Sequence, residues 1–252
     1  MALLKNVNNI EFEKGIKDFL QSAPDIYLPG VSVDTVIFSF HNDKLKALLL
    51  RLGETPYFSL PGGFIKKEEN LDDAALRILQ ERTGLENIYL EQFYTSGNNV
   101  RYKKNVLLDN LKAVTNLPPD NWLEQRFISV CFYALVDETK VNPKPERFGG
   151  GFQWTDIKHI PELLYDHNLI IEKALSRLQG DLDKNVVGFN LMNESFTMAE
   201  LQKLYEAIYQ KKFLRTNFQR KILSSNMLER LEKKYNGKAH KAPYLYRFIE
   251  NK

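Results

Sequence analysis

Between Leu60 and Leu85 the residues able to do chemistry fall into one frame: Gly62-Gly63, five residues, Glu69, seven residues, Arg77, then Glu81 and Gly84-Leu85. Carboxylates at such spacing are the groups that hold a hard divalent cation such as magnesium, which takes oxygen ligands in octahedral geometry. Positions 78, 81 and 82 are spaced i, i+3 and i+4, so they share one face of a helix. Only Glu81 is acidic there; Ile78 offers no oxygen, and Arg82 adds a positive charge to the same face. Weak or absent magnesium affinity is the expectation. The supporting residues have separate reasons to be present. Gly62 and Gly63 permit a tight turn, Asn70 or Asp72 can cap the helix start, and Gly84 suits the left-handed position that ends a helix.

The whole run LPGGFIKKEENLDDAALRILQERTGLENIYLEQFYT resembles the Nudix box, whose pattern is G-x5-E-x7-R-E-U-x-E-E-x-G-U with U a bulky aliphatic. Gly63, Glu69, Arg77, Leu79, Glu81, Gly84 and Leu85 fall in register, while Ile78 and Arg82 stand where the pattern has acids. The resemblance implies a loop–helix–loop in which a metal neutralises a pyrophosphate and helps activate water. With two of the three acids gone, no catalytic residue is expected. A lone Gly-Gly or Arg-Thr-Gly would mean little; the whole frame argues against an unrelated amphipathic helix after a Gly-rich turn.

The 252 residues are 43% hydrophobic and 27% charged, ordinary for a globular protein and enough for two small domains. A single cysteine, Cys131, excludes an internal disulfide, and its apolar surroundings from Phe127 to Val136 read as a buried strand thiol. His41, His159 and His167 have no ligand-like spacing and read as structural. No run approaches the roughly 18 apolar residues of a membrane span, and the acids within MALLKNVNNIEFEKGIKDFL argue against a signal peptide. A cytoplasmic protein with no membrane partner is expected. The net charge of +3 is unevenly spread: residues 196–252 carry 13 Lys and Arg against 5 Asp and Glu, and the remainder 22 against 27. A basic tail on an acidic body points to a polyanion partner.

The elements that must position these residues read as follows. Residues 1–22 form a helix; 31–40, 46–52 and 88–94 form strands, with a turn at Asn42-Asp43. Residues 97–124 look like an insertion beside the box, with an amphipathic piece at 106–114. Strand 127–136, a Pro- and Gly-rich loop at 140–151 and a last strand from Phe152 complete a domain over 1–165. A connecting helix over 166–180 follows, with apolar residues at helical spacing. Residues 181–252 make a second domain. Thr197 and Glu200 form a capping box for a helix whose stripe is Leu201, Leu204, Tyr205 and Ile208. A turn at 210–215 and a short helix at 217–224 come next, with Phe218 and Ile222 inward and Gln219, Arg220 and Lys221 outward. A basic hairpin tip at 235–243 and a strand at 244–248 close the chain.

Helix, turn, helix and basic hairpin make a winged helix-turn-helix, whose second helix enters the major groove while the wing touches the backbone. The run FTMAELQKLYEAIYQKKFLRTNFQRKIL with GKAHKAPYLYRF after it resembles the C-terminal domain of the Nudix-related transcriptional regulators, and the resemblance covers nearly all the chain outside 97–124. It implies an α/β fold, a Nudix-type α/β/α sandwich with a mixed sheet, followed by a small winged helix. It also implies a homodimeric regulator, typically a repressor, whose sensor binds a small molecule without chemistry. On the matching positions Thr216, Asn217, Gln219, Arg220 and Lys221 would contact double-stranded DNA, and Lys238, His240 and Lys241 would form the wing. The ligand pocket is expected around Arg51, Phe64, Arg77 and Glu81, with Arg126 from the neighbouring strand. Arg77 can equally brace the box loop against Glu69. No metal or cofactor is expected. The family's effectors include ADP-ribose-like nucleotides and sugars; the missing carboxylates put a neutral sugar somewhat ahead, although Arg82 can pair with a phosphate. The alternative is a metal-dependent Nudix hydrolase of nucleoside diphosphate derivatives.

Overall fold

A computed structural model describes residues 8–51, 56–86, 88, 90–99, 121–141, 151–182, 191–234 and 242–249, with side chains from residue 14 onward. The amphipathic piece at 106–114 and the wing residues Lys238, His240 and Lys241 lie outside the described residues.

Helix α1 (Asn8–Ile26) leads directly into β1 (Tyr27–His41), and Asn42 and Asp43 turn the chain with positive φ into β2 (Lys44–Arg51). β3 (Phe58–Ser59), β4 (Gly62–Lys66), the box helix α2 (Leu71–Thr83), β5 (Leu90–Ser96), β6 (Ile128–Leu135) and β7 (Phe152–Asp156) follow. The seven strands form one mixed sheet in the order β3-β2-β1-β6-β5, with β4 also on β1 and β7 also on β2. Only β1 and β6 run parallel, in register from Val31 opposite Ile128 to Phe38 opposite Leu135. β1 is long enough to take β4 along its first half and β2 along its second on the same edge.

Alternation along β1 and β6 sorts their side chains onto two faces. Val33 and Phe132 pack with Ala74, Ala75 and Ile78 of α2, and Ile37 and Ala134 with Leu79. Val36, Phe38, Cys131, Tyr133 and Leu135 face the other way, onto Ile170, Ile171, Ala174 and Leu178 of α3 (His167–Asp181). The result is a helix–sheet–helix sandwich. Cys131 is fully buried in it, as its apolar run required.

The second domain comprises β8 (Phe196–Thr197), α4 (Met198–Tyr209), α5 (Arg215–Ser224), β9 (Leu228–Lys233) and β10 (Tyr244–Phe248), with the strands ordered β8-β10-β9. One apolar cluster runs unbroken from Val36 of the large sheet through Leu178, Leu182 and Leu191 to Leu204, Phe218 and Ile222. The two domains therefore share a continuous core through α3. Tyr209 donates its hydroxyl to the Gln179 carbonyl at 3.0 Å, and Gln179 Nε2 donates to the Ile208 carbonyl at 2.8 Å. Among the described residues no helix is long and apolar enough to cross a membrane.

Several elements differ from the sequence reading. α1 extends to Ile26 and β1 begins at Tyr27, four residues earlier than alternation alone suggested. β4 lies where a tight turn at Gly62-Gly63 was expected, and β3 is a strand that the sequence reading did not assign. Asn70 occupies the N-cap position of α2 but makes no side-chain cap; its amide donates to Asp73 instead. At the end of the expected insertion Asn121 caps a 3-10 turn over Trp122–Glu124, and Trp122 packs against Phe19 and Ala23 of α1.

Candidate functional site

The box begins on β4, not in a turn. Gly62 and Gly63 pair with Asp34 and Val33 of β1, and neither has positive φ. Their missing side chains serve close approach instead. A Cβ on Gly62 would lie 2.5 Å from Asp34 Oδ1 and 2.8 Å from the Val33 carbonyl; one on Gly63 would lie 2.9 Å from Ile78 Cγ1. Gly84 does take φ 72° and closes α2 with its N–H on the Gln80 carbonyl.

Arg77 spans the box. Its Nε donates to Glu69 Oε1 at 2.6 Å and its Nη2 to Glu69 Oε2 at 2.8 Å and to the Phe64 carbonyl at 2.9 Å; Nη1 lies 3.1 Å from Glu81 Oε2. All three guanidinium nitrogens are committed, so Arg77 is a brace between β4, the following loop and α2. Its hydrogen bonds to Arg77 hold the Glu69 carboxyl below the usual range, and the same pair raises Arg77 further above an already high value. The pair is four-fifths buried on both sides. Exposed ion pairs contribute about 0–1 kcal/mol, and breaking a fully buried one costs about 3–5 kcal/mol. Arg77→Met should therefore lower stability by about 2 kcal/mol, read as a lower urea midpoint with unchanged m-value; an unchanged midpoint would show that the brace is not needed.

The face that carries acids in the full pattern is closed. Ile78 is 1% exposed, packed with Val33, Ile65 and Phe132 and against Gly63. Glu81 is half-exposed and paired with Arg77. Arg82 folds back so that Nε and Nη2 both donate to the Gly62 carbonyl, at 3.1 and 2.9 Å. A hard cation takes oxygen ligands; on this face only Glu81 has a carboxylate, and the nearby Gly62 carbonyl is already held by a guanidinium. No group of three or more His, Cys, Asp or Glu that could hold a metal exists among the described residues. The residues here do not fit magnesium.

The other expected pocket residues are dispersed. Phe64 points into an aromatic cluster, with ring centroids 4.6 Å from Trp122, 5.3 Å from Phe127 and 5.7 Å from Phe19. Arg126 is exposed and donates to the Gly97 carbonyl. Arg51 ends β2, exposed, with its backbone N–H on the Gly151 carbonyl. Among the described residues no hydrogen bond or ion pair joins either arginine to the Arg77 network. The sequence missed a buried polar seam beneath the box. Ser129 donates to Asp34 Oδ2 at 2.7 Å, and His167 Nε2 lies 3.6 Å from Asp34 Oδ1. The Leu60 N–H donates to His167 Nδ1 at 2.9 Å, so the neutral imidazole carries its proton on Nε2. His167 is structural in a specific sense: it ties the start of the box to the first turn of α3, the helix that continues to the second domain. Nothing in the spacing of a lone histidine announces that.

In the second domain the capping box forms as read: the Glu200 N–H donates to Thr197 Oγ1 and the Thr197 N–H to Glu200 Oε2. Phe218 and Ile222 are buried, while Thr216, Asn217, Arg220 and Lys221 are exposed and Gln219 is half-exposed. One face of α5 is therefore an exposed polar surface. The preceding turn is held by residues the sequence reading passed over. Glu206 accepts from Lys212 Nζ at 2.6 Å and from the Phe213 N–H at 3.1 Å, and Gln202 Nε2 donates to the Phe213 carbonyl at 2.9 Å. The Lys212 ammonium, then the Gln202 amide, hold the Glu206 carboxyl down to about 2. Leu214, 73% exposed at the N-cap of α5, is a further apolar group on this surface. At the base of the wing, Arg230 stacks 4.3 Å over Tyr244, and Arg247 pairs with Glu229 across the strands.

A box helix packed on a mixed sheet, followed by helix-turn-helix and a β-ribbon, defines a Nudix-fold protein with a C-terminal winged helix. The comparisons agree. Residues 29–178 match the Nudix domain family and residues 188–248 the family described as the NrtR DNA-binding winged helix domain. The ADPR responsive transcriptional repressor NtrR of Acinetobacter baylyi is 28% identical over 228 residues, 87% of this chain and 82% of the relative. The crystal structure of Shewanella oneidensis NrtR complexed with a 27mer DNA superposes with TM-score 0.61 at 27% identity, covering 87% of this chain and 93% of that one. A MutT/nudix family protein from Enterococcus faecalis shares the fold over 96% and 97% of the two chains, with TM-score 0.63 and 19% identity. The Nudix match alone spans more than half of the sequence, so the chain belongs to the Nudix family, and with its NrtR-type winged helix it is a Nudix-related transcriptional regulator.

Proposed function

We propose that this protein is a transcriptional repressor that binds DNA through α5 and the wing, and whose Nudix domain senses a nucleotide without hydrolysing it. The observation that carries the reading is a recognition helix with an exposed polar face, joined through α3 to a box whose metal face is filled by Ile78 and Arg82. The effector is ADP-ribose or a nucleotide of that type. The Acinetobacter relative is named for its response to ADPR, and Arg82 supplies a fixed positive charge at the box, so a diphosphate needs no bridging magnesium. This reverses the order that the missing carboxylates alone suggest, in which a neutral sugar came first. Two copies would place their recognition helices on half-sites about one helical turn, or a multiple, apart.

The test has two parts. With millimolar magnesium, ADP-ribose, NADH and sugar nucleotides should remain intact above background; metal-dependent turnover lost in Glu81→Gln would establish a hydrolase instead. ADP-ribose should change the affinity for promoter DNA of the protein's own locus by about 5–150-fold, and DNA should change the affinity for ADP-ribose by the same factor. Tight ADP-ribose binding with no change in DNA affinity would leave the Nudix domain as a dimerisation scaffold only.

A further inference from the structure

A cleft of about 280 Å³ lies where the two domains meet, lined by Asp43, Lys158, Lys203, Glu206, Gln210, Lys211 and Lys212 together with Ala207. Its walls come from both domains. Asp43 is in the β1–β2 turn and Lys158 in the 3-10 turn over Ile157–His159 that follows β7. Residues 203, 206, 207 and 210 lie at i, i+3, i+4 and i+7 on one side of α4 and its C-cap. That side is opposite the stripe Leu201, Leu204, Tyr205 and Ile208 that enters the core. Lys211 and Lys212 follow immediately and lead into α5.

The charges are not balanced. Lys203 Nζ pairs with Asp43 at 2.6 Å and Lys212 Nζ with Glu206 at 2.6 Å. Each carboxylate thus has its own lysine, and Lys158 and Lys211 remain as two uncompensated ammonium groups. Lys158 is exposed and its side chain has no ion-pair partner among the described residues. Lys211 sits 5.2 Å from the Tyr209 ring and 5.3 Å from the Phe213 ring; these contacts position its charge and leave it positive. A concave site with excess positive charge concentrates anions.

We infer that this cleft seats a phosphate of the DNA backbone, so that Lys158 of the Nudix domain contacts DNA together with Lys211 of the winged helix. The inference rests on the DNA-binding reading above. In a helix-turn-helix the first helix crosses the backbone while the second enters the groove. Here α4 is that first helix, and its outward side is the wall of the cleft. A phosphate held between Lys158 and Lys211 touches both domains at once. Bound DNA then resists any movement of α4 relative to the β1–β2 turn, which gives an effector acting on the Nudix domain a direct means of altering DNA affinity.

Backbone contacts carry no sequence information, so a mixed-sequence duplex of about 30 base pairs is a sufficient probe, with the full chain titrated by fluorescence anisotropy at several salt concentrations. Lys158→Gln should weaken every duplex by the same factor and reduce the slope of log affinity against log salt by about 1. Lys67→Gln, in the exposed turn that follows β4, should leave the slope unchanged. Thermal melting of each variant confirms that it folds. If Arg220→Ala weakens binding to the operator while Lys158→Gln keeps the wild-type affinity and slope on every duplex, the cleft is not a DNA contact although the regulator reading stands. If the wild-type chain binds no duplex even at low salt, that reading fails and this one with it. Amine acylation separates DNA from a free phosphate ion as the occupant: the duplex should protect Lys158 and Lys211, and inorganic phosphate at equal ionic strength should not. Protection by phosphate alone would overturn the assignment to DNA.

Discussion

Ile78→Glu, which restores one acid of the full box pattern, should lower stability by about 3–5 kcal/mol at pH 7 and yield no hydrolase. The residue is 1% exposed and fills the space between Gly63, Val33 and Phe132. A carboxylate buried there without a partner has its pKa raised by up to about 3–5 units. The sign follows from proton binding. The folded state would hold the proton to a higher pH than the unfolded chain, whose glutamate titrates near 4.3. Stability should then fall by about 1.4 kcal/mol per pH unit from near pH 4.3 until the raised pKa is passed. At pH 4 the variant should differ from wild type mainly by lost packing. Urea unfolding of both proteins between pH 4 and 8 measures the difference. A flat difference across that range would mean that position 78 reaches solvent and that the metal face is more open than the packing indicates.

Arg220→Ala should weaken binding to the protein's own operator by about 1–3 kcal/mol, or roughly 5–150-fold, if its guanidinium reads a base edge. Arg220 lies on the exposed side of α5, two residues from the buried Phe218 and Ile222 that fix the helix. Removal should therefore cost affinity without cost to folding. The loss should be concentrated at one base position, and duplexes altered at that base should bind wild type and variant alike. This differs from the uniform loss expected of Lys158→Gln, since phosphate contacts position the protein and base contacts specify the sequence. A competition experiment with operator variants reads both. Equal binding of wild type and Arg220→Ala to every duplex would place the recognition surface elsewhere on the domain.

The sequence by itself determined whatever depends on local spacing. The 3.6-residue stripe of α4, its Thr197–Glu200 capping box, the apolar run of β6 and the left-handed Gly84 are short-range matters of periodicity, composition and backbone conformation, and each is found where the residues imply. The absence of acids at Ile78 and Arg82 is likewise a property of residue type, readable before any fold is known. Tertiary structure decided whatever depends on contacts between distant segments. Gly62 and Gly63 are small because Asp34 and Ile78 approach them, not because the chain turns there. Arg82 finds the Gly62 carbonyl, and His167 finds the Leu60 N–H, across 20 and 107 positions of sequence. The cleft lined by Lys158 and Lys211 exists only because α3 and a continuous apolar core bring α4 against the β1–β2 turn. Such pairings follow from the packing of whole elements, and no periodicity along one stretch of chain encodes which distant partner a side chain will meet.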